Sequence, residues 1–210
     1  MRLIVPGADK EYQLHTSMLS SHTYSNPDPY LRPSFSVRNK LRRLLWSVTW
    51  RLLCQWTPNP MHAWRIWMLR QFGAKIGRTN FIYPSCKIWA PWLLETEDVV
   101  TIGSGVEIYN PGGIYLGHHS IISQDAYLCG ATHNYNSAEF TYLKSKITIG
   151  PYAWVCARAI VLPGVHCREG SVLGAAALTS RSLEPWTVYG GNPAKPLKER
   201  HNFTVKEEVY

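Results

Sequence analysis

Aliphatic residues recur at every sixth position through much of the chain. In the stretch ITIGPYAWVCARAIVLPGVHCREGSVLGAAAL, residues 147–178, the step runs Ile149, Val155, Val161, Cys167 and Leu173, and Thr179 follows. A small or β-branched residue stands two positions before each next anchor: Ala153, Ala159, Val165, Ser171 and Ala177. A helix repeats every 3.6 residues and a simple strand every 2, so neither sustains a period of six. The step predicts a mainly β chain, a parallel β-helix of hexapeptide repeats wound into a three-sided prism. The same step begins at Ile76, Ile82, Ile88 and Leu94, then slips by two to Ile102, Ile108 and Ile114. It slips by two again to Leu116, Ile122 and Leu128, breaks over an irregular stretch at 130–146, and resumes at Ile149. At about eighteen residues per coil, about five to six coils are expected. Gly103, Gly117, Gly150 and Gly174 each follow an anchor, where they are expected to permit tight or left-handed backbone at the corners.

Ahead of the prism the period changes. Val37, Leu41, Leu44, Leu45, Val48, Leu52 and Trp56 keep i, i+3/i+4 spacing and predict a helix over residues 36–56. Arg38, Arg42, Arg43 and Gln55 occupy the opposite side, while Trp46 and Trp50 widen the apolar face. Thr57-Pro58-Asn59-Pro60 breaks this helix, and Asn59 is expected to cap a second one running from Pro60 to about Phe72, with Gly73 as its stop. The expected organisation is a polar tail (1–35), a helical segment (36–73), a β-helix domain (74–192) with a loop at 130–146, and a C-terminal cap and tail (193–210).

Length and composition bound the reading further. The 210 residues suit one domain or one solenoid with an appendage. No basic-then-apolar leader is evident and no apolar run approaches the ~20 residues of a membrane span, so a cytoplasmic location is expected. Cys54, Cys86, Cys129, Cys156 and Cys167 show no CxxC pair or zinc spacing and read as buried free thiols. The net charge of +8 is unevenly placed: no acidic residue stands between Asp28 and Glu95, yet that stretch holds eleven of the 22 Lys and Arg and seven of the nine Trp. This mixture suits peripheral contact with an anionic inner-membrane surface, or a phosphate-bearing substrate. A solvated basic face, held on the prism by aromatic stems, accounts for it equally well. Nucleic acid is not an expected partner, since no recognised motif accompanies the charge.

Four segments carry a resemblance: LRQFGAKIG (69–77), LGHHSIISQDAYLCGATHNYN (116–136), ITIGPYAWVCARAIVLPGV (147–165) and VLGAAALTSRSLEPWTVYGGNPAKPLK (172–198). Over about residues 36–200 the chain resembles the hexapeptide-repeat acyltransferases that use acetyl-CoA. Within them it is similar to sugar O-acetyltransferases of the galactoside, maltose, nodulation-factor and colanic-acid types, most of all the last. The repeats alone specify only the superfamily. The histidine-bearing loop, Trp154 and Gly191-Asn192-Pro193-Ala194-Lys195 are more specific.

The resemblance implies a left-handed prism, a homotrimer, and transfer of an acetyl group from acetyl-CoA to a saccharide or lipid-linked glycan in exopolysaccharide or capsule assembly. A thioester is already activated, so the acceptor hydroxyl needs a base and the developing oxyanion a donor. Histidine, with an ordinary pKa of ~6.5, suits the first role. The resemblance assigns it to His133, at the break in the six-step, and assigns the oxyanion donor to the Ala157 amide. It lays the pantetheine arm along Ala175 and the CoA phosphates near Ser180, Arg181, Lys195 and Lys198. Trp154 is implied as a wall of that channel, with core packing as the alternative. Glu107, Tyr109 and Asn110 are candidates for the acceptor. Two other functions stay open: a non-catalytic β-helix scaffold docking at a membrane, and a γ-carbonic-anhydrase-like metal enzyme suggested by His118, His119, His133 and His166. The second needs a paired His-x4-His, which is missing, so no metal is expected.

Overall fold

The structure, a computed structural model, describes Leu31 and residues 33–203. Most of the expected polar tail and the last seven positions lie outside the described residues. The first coil comprises β1 (Lys75–Ile76), β2 (Phe81–Ile82) and β3 (Lys87–Ile88). The second holds β4 (Leu94–Thr96), β5 (Thr101–Ile102) and β6 (Glu107–Tyr109), the third β7 (Ile114–Leu116), β8 (Ile121–Ile122) and β9 (Tyr127–Cys129). A hairpin of β10 (Ala131–His133) and β11 (Tyr142–Lys144) interrupts the winding. The fourth coil is β12 (Ile147–Ile149), β13 (Trp154–Val155) and β14 (Ile160–Val161), the fifth β15 (His166–Cys167), β16 (Val172–Leu173) and β17 (Leu178–Thr179). β18 (Thr187–Gly190) begins a last partial coil and β19 (Lys195–Glu199) folds back antiparallel to it.

Three faces result. The first stacks β1-β4-β7-β12-β15, the second β2-β5-β8-β13-β16-β18 with β19 at its end, and the third β3-β6-β9-β14-β17. Coil-to-coil pairs are parallel, and like sits on like: Ile82 faces Ile102, which faces Ile122, which faces Val155. These anchors are at most 1% exposed, and each such aliphatic side chain contributes about 1.5–3 kcal/mol on burial.

The register explains the slips in the six-step. β4, β7 and β12 are three residues long and both ends point inward: Leu94 with Thr96, Ile114 with Leu116, Ile147 with Ile149. Alternate residues of a strand share a face. The second inward residue therefore restarts the count, and the early coils advance by 20 residues (Ile82 to Ile102) where later ones advance by 18 (Val155 to Leu173).

The corner glycines act differently from expectation. Gly103, Gly117, Gly150 and Gly174 are not left-handed; they are sites of close approach between coils. A Cβ on Gly150 would lie 2.8 Å from the Glu169 nitrogen, and one on Gly117 would lie 2.7 Å from the Pro151 nitrogen. Left-handed corner positions are taken instead by His119, Asp125, Tyr152, Arg158 and Ala176, among others.

Two helices precede the coils. α1 (Val37–Leu53) starts at Ser36, whose hydroxyl accepts from the Asn39 amide. α2 (His62–Gln71) starts later than the sequence suggests: Met61 holds the cap position, and the Asn59 carbonyl accepts from Arg65 instead. Gly73 does end it, at φ +88°. α1 meets the prism through Trp46 and Trp50, whose indole N–H groups donate to the carbonyls of Ile88 (2.6 Å) and Pro84 (3.2 Å). The expected union of these tryptophans with the aliphatic stripe does not hold. Trp46 and Trp50 are 3% and 7% exposed, whereas Leu41, Leu44, Leu45 and Leu52 are all at least 60% exposed.

Much of the basic segment is structural. Arg65 is fully buried and donates to the Ile82 carbonyl (2.6 Å), the Thr57 hydroxyl (2.7 Å) and the Pro58 carbonyl (3.0 Å). Arg70 donates to the carbonyls of Ile76 and Gly77. The five cysteines are free; Cys54, Cys86 and Cys167 are buried, and burial pushes their thiols up to about 11, 12 and 12.

Candidate active site

The break in the six-step is an ordered hairpin. Its stem is set where Gly130 passes so close to β6 that a Cβ would meet the Tyr109 carbonyl at 2.7 Å. The Gly130 amide donates to that same carbonyl, and the Ser145 amide donates to Gly130. The hairpin pairs Ala131 with Lys144, Thr132 with Leu143 and His133 with Tyr142. Asn134 closes the turn through its amide to the Thr141 carbonyl (2.9 Å).

His133 is half-buried at the end of β10. Phe140, at φ +44°, returns from the turn and lies parallel to the imidazole, with ring centroids 4.4 Å apart and planes within 8°. Tyr142 meets the imidazole edge-on at 5.4 Å. The Tyr142 hydroxyl shares a hydrogen bond with the Tyr109 hydroxyl (2.9 Å). Burial, then that hydrogen bond, pushes the Tyr142 phenol far above the ordinary tyrosine range, so it stays neutral. Among the described residues the ring nitrogens of His133 have no hydrogen-bond partner. The imidazole is thus held by two ring contacts while its nitrogens stay available for proton transfer. Phe140, Tyr142, Trp89 and Phe35 have no periodic signal, and Arg43 reads only as a polar-side residue of the helix; the hairpin register and the seat of α1 bring them to this corner.

The aromatic surface continues toward α1. Tyr109 meets Trp89 edge-on (5.4 Å), Phe35 lies against Trp89 and Tyr142 (5.0 and 5.3 Å), and the Arg43 guanidinium sits 4.5 Å over Trp89. A cavity of about 280 Å³ opens between α1 and the third face, lined by Trp50, Arg51, Lys87, Trp89, Glu107 and Tyr109 among others. Glu107 is exposed there, with Lys87 at 3.8 Å. Asn110 is not available to a ligand. It is fully buried, its side-chain oxygen accepts from the Ala90 amide (3.0 Å) and its side-chain nitrogen donates to the Ala90 carbonyl (2.9 Å).

The other candidates lie elsewhere. Ala157 and Ala175 share the corner between the second and third faces, one coil apart, and the Ala176 amide donates to the Ala157 carbonyl (2.9 Å). Neither carries a side chain beyond Cβ, while Arg158 at the same corner is exposed and lies 3.9 Å from Asp125 of the coil before. Trp154, on the second face beside this corner, is 42% exposed, which rules out the core-packing alternative. Its indole N–H donates to the Ser123 hydroxyl (2.8 Å). Trp154 pairs with Val172, Val172 with Val188 and Val188 with Lys198, so one row of the second face leads from the indole to the lysine. Ser180, Arg181, Lys195 and Lys198 are exposed, and among the described residues none is in an ion pair.

The His133 hairpin leaves the corner between the third and first faces, whereas Ala157 precedes the third face. The two lie at opposite ends of that face, so one chain does not bring them together. Among the described residues no group of three or more His, Cys, Asp or Glu side chains is placed to hold a metal. His118 and His119 instead contact each other and Tyr152.

No protein-family profile matches this chain. It is 39% identical over 166 residues to a protein of Escherichia coli K12 named as the colanic acid biosynthesis acetyltransferase WcaF; the match covers 79% of this chain and 91% of that one. A shorter match, 40% over 61 residues, joins it to 28% of a chloramphenicol acetyltransferase of Escherichia coli. Among solved structures, a maltose O-acetyltransferase from Clostridium difficile superposes with a TM-score of 0.70 at 18% identity, over 80% of this chain and 90% of that one. A hexapeptide-repeat acetyltransferase from Vibrio cholerae, solved in complex with acetyl coenzyme A, gives 0.71 at 19% identity over 81% and 93%. At such identities the structural likenesses speak for the fold alone.

Proposed function

The chain belongs to the hexapeptide-repeat acetyltransferases, and from that premise we propose that it moves an acetyl group from acetyl-CoA to a saccharide hydroxyl, with His133 as general base. The observation that carries this reading is the built setting of His133: half-buried, stacked on Phe140, bounded by the neutral Tyr142, with its ring nitrogens uncommitted. In the proposed step a ring nitrogen takes the proton of the acceptor hydroxyl while its oxygen attacks the thioester carbonyl. The Ala157 amide steadies the oxyanion. The carbon–sulfur bond then breaks, and the proton held by His133 passes to the departing thiolate, giving the acetyl ester and free CoA.

The residues of the second and third faces fit the acetyl-CoA donor. Ala157 and Ala175 are small residues one coil apart beside which a narrow arm would lie, Trp154 borders them, and Arg181, Lys195 and Lys198 are exposed cations for phosphate groups. The separation of His133 from Ala157 across the third face supports a site completed by a second copy of the chain, in a homotrimer. The acceptor then lies against the aromatic surface between His133 and α1, with Glu107 and Tyr109 toward its hydroxyls. The relative's assignment to colanic acid biosynthesis supports a polysaccharide precursor, and a lipid-carried glycan fits the basic, tryptophan-rich segment beside that cavity.

The test is acetyl transfer from acetyl-CoA to saccharide acceptors, followed by thiol release and by the mass of the product. Stoichiometric acetyl ester with free CoA is expected. Acetyl-CoA binding with no transfer to any saccharide, lipid-linked ones included, would overturn the substrate assignment.

A further inference from the structure

α1 rests on the prism by one side and turns a continuous aliphatic stripe to solvent. At about 100° per residue, Val37, Leu41, Leu44, Leu45, Val48 and Leu52 fall within an arc of about 100°. They are between 46% and 71% exposed. Trp46 and Trp50, the buried contacts of the helix, lie roughly opposite the centre of that arc. Amphipathic helices ordinarily pack their aliphatic side inward. Here two indoles do the packing and the leucines are left outside.

The stripe is edged by cations. Lys40 and Arg51 fall along one border and Arg38 along the other. The Arg42 guanidinium lies 3.9 Å over Trp92 and donates to the Phe72 carbonyl (3.2 Å), which draws its charge toward the prism. α1 contains no acidic residue, and Lys40, Arg51 and Arg38 are in no ion pair among the described residues. Past the end of α1, Trp56 is 72% exposed, and Trp64 and Trp67 stack at 5.1 Å with Trp67 48% exposed. No described helix is long and apolar enough to cross a membrane.

We propose that this face of α1 beds into the surface of an anionic lipid bilayer, the helix lying in the plane of the interface. The aliphatic stripe enters the boundary between headgroups and acyl chains, Lys40, Arg51 and Arg38 meet lipid phosphates, and the exposed tryptophans sit at headgroup level. Charge decides against a second copy as the occupant. A two-fold contact through this face sets the basic borders of one copy against those of the other, with no carboxylate on the helix to offset them. The inference rests on α1 alone and stands apart from the transfer chemistry.

The test uses the full-length protein, sedimented with vesicles of phosphatidylcholine containing phosphatidylglycerol and with vesicles of phosphatidylcholine alone. Partitioning to the anionic vesicles, weakened by salt, is expected. The triple variant Leu41→Gln, Leu45→Gln, Leu52→Gln changes only exposed positions. It is expected to lower the partition coefficient by about a hundredfold or more, with circular dichroism, thermal midpoint, acetyl-CoA affinity and molecular mass in solution unchanged. Arg38→Gln with Arg51→Gln is expected to remove the preference for anionic over neutral vesicles. Undiminished binding by the triple variant overturns the proposal, as does a parent that binds neither vesicle. A parent that binds neither, with a triple variant of lower molecular mass, assigns the face to a second copy.

Discussion

The ring of Phe140 lies parallel to the imidazole of His133, 4.4 Å between centroids and 8° between planes. Six residues lie between them in sequence, and the β10–β11 turn closes the gap. A general base must present one nitrogen to one proton, and a parallel ring fixes the imidazole plane without occupying either nitrogen. Phe140→Ala is therefore expected to lower kcat for acetyl transfer by about tenfold, with acetyl-CoA affinity unchanged. Phe140→Tyr keeps the platform and most of the rate. A purely structural role for Phe140 would shift the melting temperature instead, and leave kcat alone in the molecules that stay folded.

His133 and Ala157 stand at opposite ends of the third face. If the site is shared between copies, a chain lacking the base can be complemented by one with an obstructed corner. His133→Ala and Ala157→Trp are each expected to be inactive alone, and mixed oligomers of the two to recover activity, up to about one intact site per trimer. Mixed oligomers without recovery would place the whole site within one chain.

Arg65 is fully buried without a carboxylate partner among the described residues, and its guanidinium is held by Thr57 and by carbonyls from the α1–α2 turn and from Ile82. It ties the helices to the first coil. An ammonium has no planar fork to meet these acceptors together, so Arg65→Lys is expected to cost about 2–4 kcal/mol. The corresponding fall in melting temperature is about 5–10 °C. An unchanged midpoint would show that the acceptors find other donors.

Stability should fall on the alkaline side. Burial and a hydrogen bond to Glu97 push the Tyr115 phenol up to about 12, and burial with the Tyr109 bond pushes Tyr142 further in the same direction. In the unfolded chain tyrosine titrates near ~10. A folded-state pKa above the unfolded one means that the contribution is whole below about pH 10 and is lost as pH rises through the folded value. Urea midpoints should stay level up to about pH 8, decline as the Cys54, Cys86 and Cys167 thiols would ionise in the unfolded chain near ~8.5, and decline further above about pH 10 as the tyrosines would. Tyr142→Phe should flatten that further decline, and an equal decline in the variant would remove Tyr142 from the explanation.

The prism was legible because its anchors are local: Ile82, Ile102, Ile122 and Val155 each belong to a run of six-residue steps, and they stack in register. Even the slips carry information, since each marks a strand with two inward residues. The side on which α1 packs was not legible. Periodicity reports that Leu41 and Leu45 share a face, but not which face meets the prism. That choice is made by Trp46 and Trp50, whose indole N–H groups reach carbonyls of the first coil. Asn110 reads as a candidate for the acceptor, yet only the fold reveals that Ala90 occupies both ends of its amide. His133 was marked by the interruption of the repeat and by the resemblance. Phe140 and Tyr142 were not, because antiparallel register within a hairpin leaves no six-residue trace.

The central claim is that His133 is the base for acetyl transfer. The direct measurement is the rate of acetyl-CoA-dependent acetylation of a saccharide acceptor by the parent and by His133→Ala, with acetyl-CoA affinity determined for both. A fall in kcat of about 10²–10⁴-fold with unchanged affinity is predicted. Undiminished transfer by His133→Ala would contradict it.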